Sequence, residues 1–403
     1  MYPEPDAAFV DGLYHRLSES ARQAVDAAIQ AIVNTRERGG NVVVVTGSGP
    51  NIHEGVTTLI AELIHKCIVN GVSTSSAVVA HEMAGSLDRV RRVSGAALGI
   101  DPSWLPKGNM FEITDLCAQD FEMLGNEMVL DTDLLRRARE LPGQIIIKAA
   151  GNMAYPVGLR TERLATEVQA LARQSGQTFE HVAGLGADSR TMIGAGALHG
   201  VPVIVSAPQL VGGGMVGMCI GDSISVKRRC ALMAQMLSEA DVIIESGVAL
   251  TQEIHDGPFE TYTGHGIWAR WDGTKTYSLS GKTLVRIDLD PNLEAAWLLE
   301  RHGGSVQDSI DAGLPKTKTL NVPFRMEMSG FARLEGSIPL IADLGAVWPI
   351  IALRCAEQLG IKLDFLSYPQ ESEPGKAMRN WIVDSVHILD RSLMHQRLQE
   401  HGN

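Results

Sequence analysis

Short β-branched apolar runs, most of them ending in a small polar turn with glycine, serine or threonine, recur along this chain and constrain its fold more than any other feature. The first is Asn41-Val-Val-Val-Val45, followed by Thr46-Gly-Ser-Gly-Pro50. A run without polar alternation suits a strand buried on both faces, as in a parallel sheet covered by helices. Comparable runs lie at 71–74, 144–148, 181–186, 201–205, 241–244 and 283–287. Between them the apolar spacing changes to that of helices. Residues 18–38 place Ala21, Val25, Ala28, Ile29 and Ile32 on one face before Gly39-Gly40, and further helices are expected over 55–69, 160–174 and 224–239. Strands alternating with helices predict an α/β fold with a doubly wound, mainly parallel sheet and helices on both faces.

The chain has 403 residues and no low-complexity linker. We read residues 1–38 as an N-terminal helical segment, 39–300 as the α/β core, and 301–403 as a mostly helical extension packed on it. The loosest stretch is 303–335, and 340–400 reads as helical. Net charge is −12, and no basic stripe of the kind that binds nucleic acid stands out. The cluster Lys227-Arg228-Arg229 reads as a solvated helix face. Five cysteines with no CxxC spacing argue against a disulfide framework or a zinc knuckle. Residues 1–25 lack the pattern of a signal peptide. No apolar stretch reaches the roughly 18 residues of a membrane span. A cytoplasmic protein with neither nucleic acid nor membrane as partner is expected.

The chemistry is expected at the strand ends. Thr46, Gly47, Ser48 and Gly49 form a turn whose backbone N–H groups can approach a phosphate, because no bulky side chain intervenes; a plain tight turn is the alternative. Thr74, Ser75 and Ser76 end the second run and offer hydroxyls to a ribose or pyrophosphate. Glu82, after His81, can accept from a ribose hydroxyl, although a His-Glu pair at a helix start also reads as a cap or surface pair. Gly212-Gly-Gly214 and Gly217 make either a simple loop or a segment that moves over a ligand, and Asp222 with Ser223 is expected to cap the next helix. Ser246 and Gly247 close the run at 241–244. Several such turns on one edge of one sheet favour a ligand site. The region around Trp268, Trp271 and Lys275 joins aromatic rings, which attract amine cations, to a lysine that apolar surroundings can turn into a nucleophile.

The order and spacing of these strand-end motifs, over roughly 40–295, resemble deoxyhypusine synthase and its relatives. Thr46-Gly-Ser-Gly-Pro-Asn-Ile-His-Glu-Gly55 sits where that family has a Thr-Ser-Asn turn. Val69-Asn-Gly-Val-Ser-Thr-Ser-Ser-Ala77 with His81-Glu82 resembles its Val-Asp strand, Thr-Thr-Ala-Gly-Gly turn and following acidic pair. Pro202-Val-Ile-Val-Ser-Ala-Pro208 with Gly221-Asp222, and Val242-Ile-Ile-Glu-Ser-Gly-Val248, resemble two further strands with their turns. Trp271-Asp-Gly-Thr-Lys275 resembles the segment carrying the Schiff-base lysine. The Ala-Val-Val-Ala-His-Glu stretch at 77–82 also resembles ornithine cyclodeaminases of the LOR/SDH type. The resemblance implies a Rossmann-like fold and NAD as cofactor. It further implies Phe259-Glu260 and Gly264 near the dinucleotide, Trp271 lining an amine pocket, Asp288 facing the cofactor ribose, and a homo-oligomer (dimer or tetramer).

The reaction so implied begins with hydride abstraction from the carbon bearing an amine of a small amine or amino acid, which produces an electrophilic imine. Either Lys275 captures the fragment for transfer, or water or an internal amine attacks with loss of ammonia. Acid/base candidates are His81, Glu82, His255, Asp256 and His265, with Glu260 and Asp256 also candidates to hold the substrate. Two other classes remain open. One is an NAD-binding regulator without catalysis. The other is a lyase or hydrolase with a metal at Glu253, His255, Asp256 and His265, although no HExxH spacing is present.

Overall fold

The computed structural model describes residues 5–47, 49–105, 109–151, 153–206, 209–247, 281–288, 308, 312–314 and 336–401. The described helices are α1 (Ala7–Arg16), α2 (Glu19–Glu37), α3 (Gly49–His53), α4 (Val56–His65), α5 (Ser76–Met83), α6 (Ala118–Glu127), α7 (Thr132–Glu140), α8 (Val157–Ser175), α9 (Phe179–Gly186), α10 (Met192–His199), α11 (Met215–Gly221), α12 (Val226–Glu239), α13 (Leu344–Gln358), α14 (Glu373–Ser385) and α15 (Arg391–His401). The strands are β1 (Val42–Thr46), β2 (Gly71–Thr74), β3 (Leu87–Ser94), β4 (Met110–Thr114), β5 (Gln144–Ala149), β6 (Val203–Val205), β7 (Val242–Ser246), β8 (Thr283–Asp288) and β9 (Ser337–Ile341).

Six strands form one parallel sheet in the order β6-β2-β1-β7-β8-β9. Its valine and isoleucine runs are buried on both faces. Val42 and Val44 meet the large core that includes Ile29, Ile32 and Trp348, while Val43 and Val45 meet Met233, Met236 and Leu237 of α12. Counting only the parallel strands in chain order, the sheet reads 3-2-1-4-5-6, the doubly wound Rossmann order. The winding reverses between β1 and β7, where Thr46 is in register with Ser246. The fold class read from the sequence is therefore the one observed. The last strand, β9, lies beyond residue 300 and pairs with β8.

Four local readings are corrected. Residues 181–186 are helix, not strand: Thr178 caps α9 by accepting from His181 N, and Phe179, Val182 and Ala183 are buried at helical spacing. The strand at 144–149 does not join the parallel sheet. It pairs antiparallel with β3, and β3 with β4, in a separate three-stranded sheet. The cap of α12 is Ser225, which accepts from Arg228 N, whereas the Ser223 hydroxyl donates back to Ile220 O. Arg229 is not on a solvated face. It is 1% exposed and pairs with Glu180, with further hydrogen bonds to Val205 O and Ile220 O. Successive residues on a helix point about 100° apart, so one member of a basic run can turn inward.

Candidate functional site

Parallel pairing aligns the carboxyl ends of all six strands, so turns distant in sequence meet along one rim. Val45 is in register with Ser73, Thr74 with Val205, and Thr46 with Ser246. The rim therefore gathers Thr46-Gly47, Thr74, Ser206, Ser246-Gly247 and Asp288. Among the described residues, the hydroxyls of Thr46, Thr74 and Ser206 are buried and make no hydrogen bond. They end the adjacent strands β1, β2 and β6.

Other rim hydroxyls are occupied by the protein itself. Ser75 caps α5 through Val78 N. Ser76 Oγ accepts from Gly213 N and lies 2.8 Å from both Gln209 O and Leu210 O, which ties the glycine loop to the end of β2. A Cβ at Gly213 would stand 2.7 Å from the Ser76 backbone, so that close approach requires glycine. Ser246 Oγ donates to Asn51 Oδ1 and accepts from Trp348 Nε1, and Asn51 Nδ2 donates to Ser246 O. Gly247 has φ +64°, and a Cβ there would sit 2.5 Å from Leu344 Cδ2. Ser206 follows the run read at 201–205, whereas Asn51 and Trp348 were not legible as rim residues. Only its place just after the first turn could have flagged Asn51; Trp348 lies inside α13 and carried no such signal.

Glu82 is fully buried, and its two carboxylate oxygens accept from Met192 N and Ile193 N. It thus holds the amino terminus of α10, where a carboxylate is favoured by the exposed N–H groups. Burial nevertheless pushes its pKa up to about 7. Asp222 lies at the end of α11 and binds α8 through Gln169 and Arg173. Asp288 ends β8, and its charge acts on Glu245. Glu245 pairs with Arg286 at 3.2 Å, both nearly inaccessible, and burial raises the Glu245 pKa to about 7.

His81 lies near the rim with its Nδ1 at 2.7 Å from Ala150 O. A carbonyl only accepts, so the proton sits on Nδ1 and Nε2 keeps its lone pair. Burial, followed in effect by the charge of Lys148, lowers the His81 pKa. His53, on α3, is lowered by burial and then by Arg379, His81 and Lys148. The sequence did not single out His53, Lys148 or Arg379, which come from three elements far apart in the chain.

Ser48, Asp256, Glu260, His265, Trp271 and Lys275 lie outside the described residues, as do Glu253 and His255. Among the described residues, no group of three His, Cys, Asp or Glu side chains could hold a metal ion. No described helix is long and apolar enough to cross a membrane. All five cysteines are free.

Fold and rim together define a doubly wound α/β protein of Rossmann order with a polar switch point. No family model matches the chain, and no curated protein matches it. Solved structures similar to it include a conserved LOR/SDH protein from Methanococcus maripaludis S2 (10% identity, 90% of this chain and 70% of that one, TM-score 0.37). Another is a ternary complex of AgrE with ornithine and NAD+ (12% identity, 85% of this chain and 34% of that one, TM-score 0.38). A third is ArgZ, an arginine dihydrolase from the ornithine-ammonia cycle in cyanobacteria (12% identity, 85% and 32%, TM-score 0.37). The chain thus spans about a third of the length of the last two.

Proposed function

We propose that the chain binds NAD at the carboxyl rim and is an enzyme that acts on an amine or amino acid. One observation carries the reading: the parallel strands run 3-2-1-4-5-6, and their winding reverses where Thr46 meets Ser246. In sheets of this order a dinucleotide lies across that reversal. The residues present fit such a ligand. Thr46, Thr74 and Ser206 offer three buried hydroxyls without partners, and a Cβ at Gly49 would meet nothing within 4 Å among the described residues. Gly47 and Gly49 would leave the backbone open to the pyrophosphate.

When bound, NAD would supply the acceptor for a hydride. The protein would supply position and proton transfer. A substrate amine must lose its proton before its carbon gives up hydride, and His81 Nε2, with its pKa lowered by burial, would accept that proton. The resulting imine is open to water, with release of ammonia, or to a second amine. On the transfer route Lys275 would capture the fragment, with Trp271, Glu260 and Asp256 around the substrate and His265 as a further acid/base. A homo-oligomer belongs to the same reading.

Calorimetric titration of NAD into the purified chain, followed by mass spectrometry of mixtures with L-ornithine, L-arginine or putrescine, tests it. Saturable NAD binding with dinucleotide-dependent conversion of an amine is expected. Absence of NAD binding overturns the reading, and binding without conversion of any amine leaves a regulator in place of an enzyme. Because the His81 pKa is lowered from 6.5, the acid limb of the pH–rate profile should fall below pH 6.5, and it should be absent in His81→Gln.

A further inference from the structure

The rim has a cationic side wall that the dinucleotide reading leaves unused. Arg379, on α14, donates from Nη2 to Ile147 O at 2.5 Å and stands 3.5 Å from His53 Nδ1. It has no carboxylate partner in an ion pair among the described residues, and its Nε is buried without any partner. Helices α3 and α14 both pack against β5, so the turn after β1, the small sheet and α14 converge here. Lys148, on β5, shares the single carboxylate of Glu112 with Arg92, at 2.6 and 3.1 Å. Asp88 lies opposite Lys148 in the sheet, but burial pushes its pKa up to about 7, so two cations on the Glu112 carboxylate leave positive charge in excess. His81 and His53 face this charge with lowered pKa values. The nearest acid acting on Arg379 is Glu54, whose two oxygens are already taken by Gln370 N and Nε2.

A half-buried guanidinium without a counter-ion is unfavourable unless an anion completes it. Its planar fork matches the two oxygens of a carboxylate or a phosphate. We propose that Arg379, with Lys148 and His53, forms an oxyanion-binding subsite beside the switch point; what it serves rests on the dinucleotide reading above. The oxyanion comes either from the carboxylate of an amino-acid substrate or from a phosphate of the dinucleotide. In the first case the subsite selects amino acids over simple amines. In the second it anchors the cofactor from the small sheet's side.

The full chain and its Arg379→Gln variant are compared by thermal shift with inorganic phosphate and by calorimetry with NAD, ADP-ribose, L-ornithine and putrescine. Phosphate is expected to raise the melting temperature of the unaltered chain but not of the variant. If the subsite holds a dinucleotide phosphate, NAD and ADP-ribose binding weakens roughly ten- to a hundredfold in the variant. If it holds a substrate carboxylate, NAD binding stays and the preference for L-ornithine over putrescine drops by a similar factor. A variant with an unchanged circular dichroism spectrum that binds every probe as the unaltered chain does overturns the proposal. Should Arg379→Gln fail to fold, Arg379→Lys keeps the charge and removes the fork. Weaker phosphate protection then supports the subsite, and undiminished protection overturns it. If the unaltered chain binds no NAD yet loses phosphate protection on Arg379→Gln, the subsite stands and the dinucleotide reading falls.

Discussion

The rim at the switch point and the junction between α5 and α10 both contain buried polar groups, but only one of them is complete. At the junction Glu82 spends both carboxylate oxygens on Met192 N and Ile193 N. On the neighbouring α9, Glu180 pairs with Arg229 and both bond the β6 backbone, although Glu180 Oε2 and Arg229 Nε have no partner among the described residues. At the rim, Thr46, Thr74 and Ser206 have hydroxyls with no partner among the described residues. A satisfied buried polar group holds the fold, whereas an unsatisfied one costs free energy until something from outside completes it. Within one sheet edge the same contrast separates Ser246, engaged by Asn51 and Trp348, from its register partner Thr46. Along this edge hydrogen bonding, not residue type, separates Thr46 from Ser246, although Thr57, Ser86, Thr114 and Ser367 also have buried hydroxyls unpartnered among the described residues.

The contrast can be broken from either side. The largest effect is expected from Arg229→Met, which strands the buried Glu180 carboxylate and should cost about 3–5 kcal/mol in urea unfolding. A smaller loss, about 1–3 kcal/mol, is expected for Glu82→Ala, which leaves two N–H groups of α10 unpaired. Its pH signature is specific. The folded pKa of Glu82 is raised from 4.5 to about 7, so the folded state binds the proton more tightly than the unfolded one. Its contribution is full below pH 4.5 and is lost as pH rises through about 7. Unfolding free energies measured from pH 4 to 8 should therefore fall less steeply in Glu82→Ala than in the unaltered chain, and parallel curves would refute the shift.

Gly247→Ala introduces a Cβ against Leu344 at positive φ and should lower stability by about 1–2 kcal/mol. The smallest change in stability is expected at the rim. Thr46→Val removes a hydroxyl that the fold does not use, so the melting temperature should hold or rise while NAD affinity falls roughly three- to tenfold. Equal loss of stability in Thr46→Val and Glu82→Ala would abolish the distinction between the two regions.

Legibility in the sequence followed the same division. Uniform runs such as Val42–Val45 and Val242–Ile244 announced strands buried on both faces, and the glycine and hydroxyl turns behind them marked the rim. The run at 181–186 misled because a short buried helix and a short buried strand share composition. The strand β3 was hidden because Leu87–Ser94 carries charges at half of its positions, and its partners are set by a small sheet whose pairing is not local. Glu82 looked like a ribose ligand because it follows the strand-end hydroxyls at 74–76, but α10 lies more than a hundred residues later and takes both of its oxygens.

The order of apolar runs and turns by itself determined an α/β chain with its polar turns at strand ends, because burial on both faces of a parallel sheet demands that pattern. Only the tertiary structure decided which hydroxyls are consumed by the fold and which remain, and only it brought His53, Lys148 and Arg379 to one wall. The physical reason is that hydrogen-bond completeness and uncompensated charge are properties of a three-dimensional neighbourhood. No window of sequence contains the partners that settle them.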